Sequence, residues 1–186
     1  MRRIVLTFGL IAGGLLSLMM FVNMSLVDRM GFDHSLVIGY TTMVLAFLLA
    51  FFGVRSYRDN VAGGSVGFGR AFTVAFLITL VASACYVTTW EFVYYRMMPD
   101  FADKYAAHEI EKARASGATQ AQLDAKAREM ASFREMYRNP LINVAYTFLE
   151  PLPVGLVMSL VSAGILRRRR ERIPGPVNAG PSVEMP

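Results

Sequence analysis

Residues 141–166, LINVAYTFLEPLPVGLVMSLVSAGIL, carry a single formal charge, Glu150, and lead straight into four consecutive arginines. Such a stretch leaves the chain few choices. At about 1.5 Å of rise per residue, one helix of this length crosses a hydrocarbon layer of roughly 30 Å. Glu150 is the tenth residue of the run, near mid-membrane, where an ionised carboxylate is costly unless the protein supplies partners. Pro151 and Pro153 lack backbone donors, so the carbonyls of Thr147 and Leu149 lose their usual helical bonds. Lipid satisfies none of these groups, and other helices must surround them.

Three further apolar runs, at about 4–27, 35–54 and 71–98, are long enough to do so. The expected fold is all-α: a four-transmembrane-helix bundle forming a single membrane domain over residues 1–172. The first run follows Arg2 and Arg3 but is too long for a signal-peptide core, and no small-residue cleavage site precedes Asp28. It reads as an uncleaved span. Cys85, the one cysteine, lies inside the third run, which excludes an intramolecular disulfide.

The net charge of +5 does not point to nucleic acid, because the cations sit where membrane topology places them. Arg2, Arg3, Arg55, Arg58, Arg70, Arg167–Arg170 and Arg172 flank one side, against Asp59, Glu171 and Glu184. On the other side, residues 28–34 hold one arginine and two aspartates, and residues 96–139 hold eight cations and seven acids. The positive-inside rule then predicts both termini in the cytoplasm, N-in and C-in.

The connections divide accordingly. Residues 55–70 contain Gly63, Gly64, Gly67 and Gly69, but neither Gly-Lys-Ser/Thr nor G-x-G-x-x-G, so they read as a linker rather than a phosphate loop. Residues 99–139 are the one substantial polar segment. Phe101, Ala102, Tyr105, Ala106, Ile110 and Ala113 repeat at helical spacing up to Gly117, and a second helix starts at Thr119 with Gln122 completing a capping box. Leu123, Ala127, Met130, Phe133 and Tyr137 stripe that second helix, where Asp124 and Arg128 are spaced to pair. The expectation is an extracytoplasmic amphipathic helical hairpin between spans three and four, a cap on itself or the membrane or a dock for an envelope partner through 100–138. His108 on it reads as solvated. Residues 173–186 are rich in proline and glycine and are expected to be a disordered cytoplasmic tail.

Small-residue stripes suggest how the spans meet. Gly9, Gly13 and Ser17 share one face of the first span, Gly39, Ala46, Ala50 and Gly53 one face of the second, and Gly155, Ser159 and Ala163 one face of the fourth. The first two stripes predict a tight hairpin of spans one and two, and a stripe of this kind also admits a second copy of the chain as partner. Trp90, Tyr94 and Tyr95 read as an interfacial belt.

Candidate functional residues lie mainly in the fourth span. Asn143, Tyr146, Thr147 and Glu150 follow i, i+3, i+4, i+7, so one polar row should face the bundle interior, just before the kink at Pro151 and Pro153. Glu150 is expected to bond Tyr146, a neighbouring span or the freed carbonyl of Thr147. Glu91, near the outer boundary of the third span, is expected to reach interfacial water or Arg96. No His/Cys cluster has metal-ligand spacing, and no nucleophile–base set or cofactor motif can be assembled, so neither metal nor cofactor is expected.

Several pieces in order resemble one family: IGYTTMVLAF at 38–47, GVRSYRDN at 53–60, GGSVGFGRAF at 63–72, YVTTWEFVYY at 86–95, PDFADKY at 99–105 and YRNPLINVAYTFLEPLPVGLVMSLVSAGILRRR at 137–169. Together they resemble the bacterial four-span membrane proteins of the domain of unknown function 4199 family. The resemblance implies an integral membrane protein without an assigned activity, and it brings no catalytic residues with it. The functional expectation is a non-enzymatic membrane protein that acts by association with an envelope partner or as a structural or regulatory component. The alternative is a small transporter or proton-coupled carrier using Glu150 at the broken span.

Overall fold

The computed structural model describes residues 1–167, so the arginines beyond Arg167 and the expected tail lie outside the described residues. Among the described residues seven helices follow one another: α1 (Arg2–Met30), α2 (Phe32–Asn60), α3 (Phe68–Arg96), α4 (Phe101–Ala115), α5 (Gln120–Arg138), α6 (Pro140–Leu149) and α7 (Pro151–Leu166). By length and apolar content α1, α2, α3 and the α6–α7 pair, 27 residues in all, are four candidate membrane spans.

Helix α3 is the hub. It packs against α1, α2, α6 and α7. Small residues decide how closely. A Cβ at Gly9 would come within 2.7 Å of the Cβ of Val81, and one at Gly13 within 2.6 Å of that of Cys85, so only glycine lets α1 lie this near α3. Ser17 extends the same row, its hydroxyl 2.7 Å from that of Thr89. The stripe on α1 therefore seats α3, which corrects the expectation that it closes on α2. On α2, Gly53 faces Ile78 of α3 and Phe8 of α1, while Gly155 of α7 runs directly onto Thr79. A stripe's sequence spacing identifies a contact face but not the helix that fills it.

Helices α1 and α2 do pack together, joined by Gly31 alone. Its φ of 81° is a left-handed conformation that glycine adopts without strain. The outer turn expected over 28–34 is thus almost entirely helical, with Arg29 in the last turn of α1 and Asp33 in the first of α2, each matching the local helix dipole. Asn23 donates to the carbonyl of Ser35 at 2.9 Å and ties the two helices beside the turn.

The polar segment forms the α4–α5 hairpin, turned at Gly117 (φ 81°). Thr119 and Gln122 make the reciprocal capping box. Lys126 reaches Glu109 at 3.2 Å and Arg134 reaches Asp103 at 3.0 Å, stitching the two helices together. Asp124 accepts from Gln120 instead of pairing with Arg128, one turn in the other direction.

The hairpin is seated on the bundle. Phe32, beside the Gly31 turn, meets Phe101 and Tyr105 with ring centroids 5.8 and 5.7 Å apart. Lys104 lies 3.6 Å from Asp28, and Lys112 bonds Asp33. His108 does not stand free in solvent as expected. It lies over Phe32 at 5.3 Å between centroids and 3.6 Å from Asp33. Lys104, His108 and Lys112 sit at i, i+4 and i+8, one face of α4 turned to the two aspartates of the tight turn.

Candidate functional site

Asn139 opens the fourth span, its side chain accepting from the backbone of Leu141 at 3.0 Å, with Pro140 in the first helical position. From that cap α6 carries its polar residues toward α3. Asn143 is fully buried, and its amide is the centre of a small network. Its oxygen accepts from the Trp90 indole at 3.1 Å and from the Thr147 hydroxyl at 3.2 Å, while its nitrogen donates to the carbonyl of Tyr137 at 3.5 Å. One side chain thereby joins α3, α5 and α6.

Glu150 stands at the junction of α6 and α7. Its own N–H still donates to Tyr146 at 3.2 Å, but Pro151 and Pro153 supply no further donors to the carbonyls behind them. The Tyr86 hydroxyl donates to its carboxylate at 2.9 Å. The partner is thus on a neighbouring span, neither Tyr146 nor a freed carbonyl. Pro151 is buried against the bundle and Pro153 is exposed.

The expected polar row divides. Asn143 and Thr147 are buried, Glu150 is half-buried, and Tyr146 is 50% exposed. At about 100° per residue, Tyr146 falls some 60° to one side of Asn143 while Thr147 falls some 40° to the other. That places the tyrosine at the edge of the row, and the bundle covers only the centre.

Glu91 is elsewhere. It is half-buried near the end of α3, with one carboxylate oxygen enclosed and without a hydrogen-bond partner, and no Arg96–Glu91 pair occurs among the described residues. The expected interfacial belt also changes. Trp90 and Tyr94 are buried, packed on Phe101 and Tyr137 of the hairpin, and Tyr95 alone of the three is exposed.

Two open, adjoining pockets flank Glu150. One, about 120 Å³, lies between α1, α2, α3 and the hairpin, with Asn23, Ser35, Tyr86 and Trp90 on its wall. The other, about 260 Å³, shares Leu36, Phe101, Tyr105, Tyr137 and Glu150 with the first and reaches Tyr146 and Phe133. Burial pushes the Tyr137 and Tyr105 phenols above their ordinary values, so both stay neutral donors. Glu150 is, among the described residues, the one formally charged residue on either wall. Among the described residues no three His, Cys, Asp or Glu side chains gather into a metal-sized cluster.

Tyr86 and Trp90 are the functional candidates that sequence reasoning missed. Thr79, Ala82, Ser83, Tyr86, Trp90 and Val93 recur at three and four along α3, the spacing of a helix face turned to neighbours. Reading that polar and aromatic stripe as a face, rather than reading Trp90 as a membrane-surface anchor, would have found both.

No curated protein and no solved structure matches the chain. Residues 7–168, nearly the whole of the described helical domain, match the family described as "Protein of unknown function (DUF4199)", and the chain belongs to that family.

Proposed function

We propose that this is a non-enzymatic, multi-pass protein of the bacterial inner membrane, which works by association through the compartment around Glu150. Both termini are then cytoplasmic and the α4–α5 hairpin is extracytoplasmic, in line with the arginine-rich flanks of one side. One observation carries the reading. The acid of the fourth span meets Tyr86 on one side and open, aromatic-walled space on the other, instead of being sealed into a closed contact. Pockets of this kind, mostly apolar with a few convergent polar groups, are where small molecules bind. An envelope protein docking on residues 100–138 has less support, since Phe101, Tyr105, Phe133 and Tyr137 are already engaged with one another and with the bundle.

The test is native mass spectrometry of the protein released from lipid nanodiscs. A bound small species carried by the wild type and lost from Glu150→Gln supports the reading. Identical bare masses for both proteins would count against it.

A second reading has its own observation. Glu150 sits at a helix break, and broken spans with acids at the break occur at transport sites. A proton-coupled carrier would lose its pH-driven flux in liposomes on Glu150→Gln, and equal flux in both proteins removes this alternative.

A further inference from the structure

Resting on the binding compartment just described, the geometry points to its ligand class: we infer that the site takes a lipophilic organic cation, entering sideways from the membrane between α2 and α6. Charge is the first ground. Among the described residues neither pocket wall contains a lysine, arginine or histidine, and Glu150 supplies the only formal charge. Its carboxylate receives a single hydrogen bond among the described residues, from Tyr86. The walls are the second ground. Trp90, Phe101, Tyr105 and Tyr137 line the first pocket together with the acid, and aromatic rings attract cations, most strongly where water is excluded. An anion would meet no compensating charge here. A bare divalent metal would find one carboxylate where it needs a cage of oxygen ligands.

The size and the opening fit the same class. Adjoining volumes of about 120 and 260 Å³ suit an organic molecule rather than an inorganic ion. The opening is lateral: α2 packs along α7, while α6 leans on α3 and α5. Between them, Leu36 of α2 and Tyr146 of α6 edge the second pocket and are 44% and 50% exposed. Glu150 is the tenth residue of its apolar run, about 15 Å along the helix from the hairpin end. A cation reaching it keeps its apolar body in the lipid and its charge against the acid, and the hairpin closes the compartment from above.

Trp90, the one tryptophan, lines the first pocket and reports on its occupancy. The experiment titrates full-length protein in phosphatidylcholine nanodiscs with tetraphenylphosphonium, against empty nanodiscs, following Trp90 fluorescence and equilibrium dialysis. Tetraphenylborate, of the same shape and opposite charge, is the control. The proposal expects saturable binding of the phosphonium alone, weakened on the order of tenfold or more in Glu150→Gln and partly kept in Glu150→Asp. Matching thermal transitions and gel-filtration profiles establish that the variants fold. Equal binding of both ions, undiminished binding by Glu150→Gln, or no saturable binding would each overturn it. If the phosphonium fails while a neutral small molecule still co-purifies in a Glu150-dependent way, the cation class falls and the compartment stands. If neither binds, both fall.

Discussion

At the end of the bundle where the chain starts, Val5, Ala50, Val54, Val74, Ile78 and Ala163 close on one another, with most of them fully buried. At the hairpin end the same four spans hold Asn23, Ser35, Tyr86, Trp90 and Glu150 around open space. The difference lies in side-chain size and in the backbone. Gly9, Gly13 and Gly53 let α1, α2 and α3 approach closely. On the hairpin side of Pro151 the fourth span is α6, Trp90 packs on Phe101 of the hairpin, and hairpin residues line the open space. One half is thus close-packed and the other open, and Glu150 stands at the break in the fourth span.

Substitutions in the closed half should do the most damage. Ile78→Ala removes a fully buried side chain from the centre of α3 and is expected to cost about 2–5 kcal/mol. Leu36→Ala, on the rim of the pocket, should change stability by no more than about 0.5 kcal/mol, the range of surface positions. Reversible unfolding in mixed micelles measures both, and similar losses at the two positions would erase the contrast.

The next effect falls on the network that frames the open half. Asn143→Ala strands the Trp90 indole and the Thr147 hydroxyl, at a cost of about 1–3 kcal/mol. The same variant should alter the Trp90 emission spectrum, and an unchanged spectrum would argue against the indole–amide bond. Tyr86→Phe removes one interhelical bond to Glu150 and should cost less, about 0.6 kcal/mol, as such bonds within membranes do on average.

How far the sequence foretold this contrast depended on the kind of signal. Apolar run length and the Asn139, Pro140, Gly117 and Thr119 signals act within a few residues, and the spans and hairpin follow from them. The Glu150 break was legible for the same reason, since proline acts on its own helix. Partner choice was not. That Gly13 meets Cys85, that Tyr86 holds Glu150, and that Lys112 reaches Asp33 across 79 positions depend on how helices rotate about one another. The Lys104, His108, Lys112 row against Asp28 and Asp33 was visible as charge complementarity, but only once the hairpin was known to fold back.

That row gives the smallest effect. Lys112 and Asp33 are both exposed, so Lys112→Ala should leave the unfolding transition where it is and speed hydrogen exchange in α4 alone. The hydrogen bond that Lys112 donates to Asp33 raises the lysine's pKa above the ordinary 10.5. A raised lysine contributes its full share below that value and loses it as pH climbs through the higher one. Docking of the hairpin, read as the distance between spin labels on α2 and α4, should therefore hold from pH 7 to pH 9 and loosen only in stronger alkali. Loosening between pH 7 and 9 would assign the latch to another group.

The central claim, that Glu150 faces reachable space inside the membrane, is tested most directly by reaction with the hydrophobic carbodiimide dicyclohexylcarbodiimide in nanodiscs, with the adducts mapped by mass spectrometry. Modification of Glu150, reduced when a bulky amphiphile is present, is the predicted result. An unmodified Glu150 in protein whose Glu91 has reacted would mean a sealed contact and would contradict the account.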